Sequence, residues 1–145
     1  EVARPLQRSL RNIMWEYGGV VKNKEKLEKG LSEIEGLKES SKNLDVRPDS
    51  EGYQDLMLAF DLEASIASSE ATLKSALNRE ESRGAHQRDD FKDLSENGNV
   101  NIRVELDNNK EIKLSKKEIP QLEKKLKNLI NKTVEIDNFE GMLLE

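Results

Sequence analysis

Between Asn78 and Phe91 the chain reads Asn-Arg-Glu-Glu-Ser-Arg-Gly-Ala-His-Gln-Arg-Asp-Asp-Phe, which gathers three arginines, four carboxylates and the chain's only histidine. Guanidinium groups bind carboxylates and phosphates through paired N–H donors. A histidine exchanges protons near neutral pH. Ser82, His86 and Asp90 have the composition of a hydrolytic triad, but no strained nucleophile turn or set of oxyanion donors accompanies them. A metal site is disfavoured, because there is no second histidine and the arginines repel a cation. A phosphate-cradling loop needs a glycine-rich repeat before a helix, and none is present. What fits best is architectural: cations at the end of a helix offset its partial negative charge and bridge to neighbours. Gly84 then supplies a left-handed position or a close backbone approach.

Such a cluster needs a support. A chain of 145 residues is long enough for one domain with its own core. With 34% hydrophobic and 37% charged residues, that core must be lean and some helix faces wholly solvated. The net charge of −5 argues against a nucleic-acid binder, which concentrates basic residues. Lys124, Lys125 and Lys127 are read as one exposed helix side. The absence of cysteine excludes disulfides, thiolate metal sites and a cysteine nucleophile within this chain. No apolar run reaches the roughly 20 residues of a membrane span, so no direct membrane insertion is expected. No signal peptide is visible. The opening at Glu1, with helical pattern almost at once, reads as a piece of a larger polypeptide.

Periodicity predicts the elements. Leu6, Leu10, Ile13, Met14 and Tyr17 mark a first amphipathic helix, with Pro5 in its first turn and Gly18-Gly19 ending it. Leu27, Leu31, Ile34 and Leu37 mark a second, capped by Asn23. A third, of roughly 30 residues, starts at a cap on Asp49 or Ser50. Its main stripe is read as Tyr53, Leu56, Met57, Phe60, Ala64, Ala67 and Ala71, widened by Leu58, Leu62, Ile66, Leu73 and Leu77. Small residues between Ala64 and Ala76 allow close approach of another element. Trp15 and Phe60 are read as packing residues. Val100, Ile102, Val104 and Leu106 alternate with polar residues, Asp107-Asn108-Asn109 is turn chemistry, and Ile112 and Leu114 resume the alternation. That is a β-hairpin whose apolar face lies on the bundle or on another domain. Leu122, Leu126, Leu129 and Ile130 mark a last helix starting near Pro120, and Phe139 to Leu144 leave an apolar tail. The expected fold is mainly α: a three-helix, spectrin-repeat-like bundle over 1–93, then a hairpin and C-terminal helix over 94–145.

The string Arg79, Ser82, Arg83, Gly84, Ala85, His86, Arg88, Asp90, Phe91 resembles one in the flavoprotein subunit of succinate dehydrogenase and fumarate reductase. L-aspartate oxidases carry a looser version, usually with a larger residue at the position of Ala85. Upstream, Leu6 to Asn12, Gly18-Gly19-Val20 and Gln54 to Ala59 resemble that family's first C-terminal helix, its turn and the entry to its long helix. The resemblance covers Glu1 to about Asp93; from Leu94 onward the chain departs from the family's frequent basic, proline-containing tail.

The resemblance implies a C-terminal helical domain packed beside an FAD-binding domain, in a parent that interconverts succinate and fumarate. FAD and the catalytic residues then belong to the preceding domains. This stretch itself is expected to supply no catalytic residue, to bind no FAD or metal, and to be inactive alone. Arg79, Ser82, Arg83, Gly84, His86, Arg88 and Asp90 are the expected domain-docking motif. Its expected partners are the flavin-binding and capping domains of the same polypeptide; a further candidate is an iron–sulfur subunit. The implied location is cytoplasmic, peripheral to the inner membrane face through partner subunits. An L-aspartate oxidase is the related alternative, and a free-standing helical interaction module the alternative from another class.

Overall fold

The computed structural model describes residues 2–47 and 53–137, with residues 131–137 described by backbone alone. Helix α1, Ala3–Tyr17, buries Leu6, Leu10, Ile13 and Tyr17 at the expected three- and four-residue spacings. Gly18 closes it by donating its N–H to the Met14 carbonyl. Strand β1, Val21–Lys22, follows. Helix α2, Lys24–Ser41, starts at Asn23, whose side chain accepts from the Lys26 N–H at 2.9 Å. It buries Leu27, Ile34 and Leu37, with Leu31 half-buried. Helix α3, Gln54–Asn78, has 25 residues, fewer than periodicity implied, because it begins only after Tyr53, which takes the left-handed conformation at φ 53°. The proposed caps Asp49 and Ser50 lie outside the described residues.

The three helices pack on one another around Leu27, Leu62 and Leu73, which are fully buried. Burying each such side chain contributes roughly 1.5–3 kcal/mol. Glu70 of α3 is also inside, and its carboxylate is held by Lys38 of α2 at 2.5 Å and Lys74 at 2.6 Å. Desolvation would raise its pKa, but the two ammonium groups outweigh that and lower it.

The core face of α3 is not the one expected. Leu62, Ile66, Leu73 and Ala76 are buried. Tyr53, Met57, Phe60 and Ala64 are exposed, Phe60 by 72%. Helix α3 is apolar on both sides, so period alone could not choose between them. Trp15, read as packing, is 87% exposed: position 15 lies outside the stripe that Leu6, Leu10, Ile13 and Tyr17 bury.

After strand β2, Gln87–Arg88, the hairpin forms from β3, Val100–Leu106, and β4, Ile112–Glu118, in antiparallel register from Val100↔Glu118 to Leu106↔Ile112. Asp107 organises its turn by accepting from the Asn109 and Glu111 N–H groups. Lys110 takes the left-handed position, φ 62°. The hairpin lies against α3, and Lys110 pairs with Glu63. Helix α4, Lys124–Asp137, starts later than Pro120. The apolar tail from Phe139 to Leu144 lies outside the described residues. Among the described residues no helix is long and apolar enough to cross a membrane.

Candidate functional site: the arginine loop beyond α3

The loop leaving α3 is tied back to the bundle by a short parallel pairing of β1 with β2, Val21↔Gln87 and Lys22↔Arg88. That pairing brings Arg88 beneath the end of α3. Its side chain is 2% exposed. Nη1 donates to the carbonyls of Ala76, Leu77 and Arg79 at 2.9, 3.3 and 3.2 Å. These are carbonyls that a helix end leaves without internal partners. Nε and Nη2 donate to the two carboxylate oxygens of Asp90, both at 2.7 Å. Asp90 Oδ2 in turn accepts from the backbone N–H of Lys24, the first residue of α2, at 2.9 Å.

One ion pair thus joins two helix ends of opposite polarity. The guanidinium meets the negative end of α3 and the carboxylate meets the positive end of α2. The Arg88 guanidinium, followed by the Lys24 N–H, holds the Asp90 carboxyl down to about 2, while partial desolvation opposes them. Phe91 adds its ring 4.9 Å from the Arg88 guanidinium carbon.

A second centre is Glu81, 1% exposed. Its carboxylate accepts from Arg79 Nη1 at 2.5 Å, from Arg83 Nε and Nη2 at 3.1 Å each, and from the Ser95 N–H at 3.0 Å. The hydrogen bonds from Arg83 lead in holding its pKa down to about 2. Arg79 continues outward, donating to the carbonyls of Gly98 at 3.1 Å and Val100 at 2.7 Å, which fastens the base of the hairpin. A Cβ on Gly98 would lie 2.2 Å from a Glu81 carboxylate oxygen, so only glycine fits beside this pinned group. Sequence reasoning missed Glu81, Ser95 and Gly98. The one available signal was a carboxylate flanked by arginines at positions 79 and 83.

The remaining motif residues build the loop itself. Ser82 Oγ accepts from the Arg88 N–H at 2.8 Å and lies 2.8 Å from the Phe91 carbonyl, to which it donates. Arg83 and His86 exchange both backbone hydrogen bonds across Gly84-Ala85. Gly84 sits at φ +56° with open space where a Cβ would be, so backbone conformation alone asks for glycine there. It serves this turn and not the end of α3. His86 Nε2–H donates to the Arg79 carbonyl at 3.2 Å, which fixes that tautomer. Burial pushes its pKa below the usual histidine value, and Lys22, Arg88 and Arg79 add to that effect.

All seven predicted motif residues therefore come together, with a structural task for each. The triad does not assemble: Ser82 bonds to main-chain groups and Asp90 to Arg88. The adjoining cavity is about 250 Å³ and is lined by Arg79, Glu81, Phe91, Asn97 and Lys116 among others. Among the described residues no cluster of three His, Cys, Asp or Glu side chains is placed to hold a metal. The residues here do not fit a flavin: Arg79, Arg83 and Arg88 are committed to Glu81, Asp90 and main-chain carbonyls, which a pyrophosphate would have to displace. Arg83, Gly84 and Ala85 remain exposed at the tip.

A family described as the fumarate reductase flavoprotein C-terminal region matches residues 7–138. An uncharacterised FAD-dependent oxidoreductase of Methanocaldococcus jannaschii is 37% identical over 93 residues, 64% of this chain and 16% of that protein. One subunit of the CoM/CoB fumarate reductase of Methanothermobacter marburgensis is 37% identical over 83 residues, 57% of this chain and 15% of its own. An L-aspartate oxidase of Pyrococcus abyssi is also 37% identical over 83 residues, 57% of this chain and 13% of its own. The chain thus spans about one-sixth or less of these relatives. Two solved structures share the fold: Mycobacterium smegmatis Sdh1 in complex with UQ1, with TM-score 0.81 and 24% identity over 92% of this chain and 23% of that one, and a mutant E. coli quinol fumarate reductase, with TM-score 0.77 and 23% identity over 85% and 22%.

Proposed function

The chain belongs to the fumarate reductase flavoprotein C-terminal family, and from that premise we propose that its parent is an FAD-dependent oxidoreductase interconverting succinate and fumarate. The observation that carries this reading is the family match across residues 7–138. The likeness to the Methanothermobacter marburgensis fumarate reductase supports it. Members of the family are flavoprotein oxidoreductases. FAD transfers the hydride when bound in the preceding domains, and the protein around it supplies binding and orientation.

In this reading the present chain performs no chemistry. It is a rigid bundle whose exposed tip, Arg83-Gly84-Ala85 with His86 behind it, docks on the flavin-binding and capping domains of the same polypeptide. Residues 94–145 are an extension of the 1–93 bundle, fastened through Arg79 to the Gly98 and Val100 carbonyls. An electron partner of the iron–sulfur type, and a cytoplasmic site peripheral to the membrane, belong to the same proposal.

A second reading, L-aspartate oxidase, is favoured by the likeness to the Pyrococcus abyssi enzyme. Ala85, where L-aspartate oxidases usually carry a larger residue, favours the first. All three relatives are oxidases or reductases by description, which leaves the free-standing module without support. Turnover of the purified full-length, flavin-loaded protein decides between the two. Succinate oxidation or fumarate reduction without aspartate oxidation is the expected result. Aspartate oxidation alone selects the second reading, and neither activity overturns both.

A further inference from the structure

Helix α1 carries its arginines without counter-charges. Between Val2 and Trp15 the sequence holds no acidic residue. Arg4, Arg8 and Arg11 stand at spacings of four and three, which puts them on one face of the helix. Like charges at those spacings repel one another. The N-terminal half of a helix is also its positive end, where carboxylates are favoured and cations are not. Helix α2 follows that rule with Glu25 in its first turn, and α3 with Asp55. Helix α1 has no acidic residue in its first turn and places Arg4 there.

The arginines elsewhere in the chain are paired. Arg47, Arg79, Arg83, Arg88 and Arg103 each meet a carboxylate within 3.5 Å. Among the described residues Arg8 and Arg11 have no ion pair and no side-chain hydrogen bond. Arg4 has only the bond from Nη2 to Gln54 Oε1 at 3.2 Å.

These three residues share one groove between α1 and α3. It measures about 240 Å³ and is lined by Arg4, Gln7, Arg8, Arg11 and Leu58, with no carboxylate among them. Gln7 Nε2 donates to the Leu58 carbonyl at 3.5 Å and so ties the two helices together beside it. A guanidinium presents five N–H donors and accepts nothing, so the groove offers positive charge and donors with nothing of its own to satisfy them. The solvated face of α2 is different in kind: lysine and glutamate alternate there at pairing distance, as in Lys24–Glu28.

We propose that the groove of Arg4, Arg8 and Arg11 is an anion-binding site for a diphosphate group. Planar guanidinium forks match phosphate oxygens in pairs. From Arg4 to Arg11 the helix rises about 10 Å, a length that suits two anionic centres better than a single phosphate. A diphosphate carries more negative charge than a dicarboxylate, and three guanidiniums with no carboxylate beside them match the greater charge. No aromatic side chain lines the groove, so recognition ends at the phosphates. Bound there, the anion removes the repulsion along α1 and meets the positive end of its dipole. Every residue in the proposal belongs to this chain, so it stands apart from the reading of the parent.

The test is isothermal titration calorimetry of the full-length protein with sodium pyrophosphate at low ionic strength. Inorganic phosphate, ADP and succinate are titrated in parallel. The expected result is one groove-dependent pyrophosphate site per chain, with phosphate and succinate weaker by about tenfold or more. In the double variant Arg8→Gln, Arg11→Gln the pyrophosphate Kd should rise by about tenfold or more. Arg47→Gln, which lies outside the groove, should leave it unchanged. Circular dichroism checks that the variants keep their helix content, as exposed positions should. ADP binding at the pyrophosphate affinity identifies a nucleotide as a fitting source of the diphosphate, and exclusion of ADP identifies the free anion. Failure of pyrophosphate to bind overturns the proposal. So does an unchanged Kd in the double variant, or succinate binding as tightly as pyrophosphate.

Discussion

Replacing Arg88 by methionine keeps the length of the side chain and removes every polar contact it makes. The Ala76 and Leu77 carbonyls at the end of α3 lose the Arg88 donor, the Arg79 carbonyl retains the bond from His86, and Asp90 retains the bond from the Lys24 N–H. Hydrogen bonds to charged groups contribute roughly 1.5–3 kcal/mol each, but three of these share one nitrogen and cannot be summed. Breaking a buried ion pair from one side costs about 3–5 kcal/mol; Arg88 is 2% exposed, but the Asp90 carboxylate left behind is 28% exposed, so the loss falls at the lower end of that range. For a chain of this size the full range corresponds to a fall in Tm of roughly 6–20 °C, with the lower part expected here. Arg88→Lys keeps the charge but not the fork, since one ammonium cannot face Asp90 with two parallel bonds and also reach the helix end. It should fall between methionine and wild type. Thermal and urea unfolding of the 145-residue chain, followed by circular dichroism, gives both values. The double variant Arg88→Met, Asp90→Asn should cost less than the sum of its parts. A loss of under about 1 kcal/mol for Arg88→Met, or strict additivity with Asp90→Asn, would refute the joining of α3 to α2 through this pair.

Gly98→Ala should destabilise by about 1–3 kcal/mol, because the new methyl meets a carboxylate that Arg79, Arg83 and Ser95 hold in place. In a Glu81→Ala background the same change should be nearly neutral, and the unfolding midpoints of the four proteins check this. Glu81 is depressed from 4.5 to about 2, so its contribution is complete above pH 4.5 and is lost as pH falls toward 2. On linkage grounds that loss is on the order of 3 kcal/mol, and Glu81→Gln should flatten the acid limb of a stability–pH profile measured from pH 6 to 2. His86, with its pKa lowered by burial, should titrate below 6.5 by NMR, and stability should decline as pH falls from 6.5 through that lower value, because only the unfolded chain takes up the proton.

How far the sequence could be read depended on which signals were local. Helices α1 and α2 have one apolar side each, and Leu6 to Tyr17 and Leu27 to Leu37 identified the buried face directly. Helix α3 has two, and choosing between Leu62–Ile66–Leu73 and Met57–Phe60–Ala64 requires knowing what packs on each. Residue types mark the polar cluster and suggest that its arginines cap a helix end, whereas the set of seven loop residues rests on the resemblance to the flavoprotein family's string. The actual pairing was not legible. Arg88 reaches back 12 residues to Ala76, and Glu81 reaches forward 14 residues to Ser95, through turns that leave no periodic trace. Gly98 owes its identity to that same distant carboxylate, so nothing around it in sequence marks it as constrained.

The central claim is that the polar loop holds structure together and takes no part in the chemistry. It is tested most directly by Arg83→Ala and His86→Ala in the full-length protein, with flavin content, Tm and steady-state kinetics measured on the same preparations. The expected result is reduced flavin retention or a lower Tm, with KM for the substrate within about twofold of wild type, equivalent to roughly 0.4 kcal/mol of binding. Abolished turnover with flavin content and Tm unchanged would contradict it.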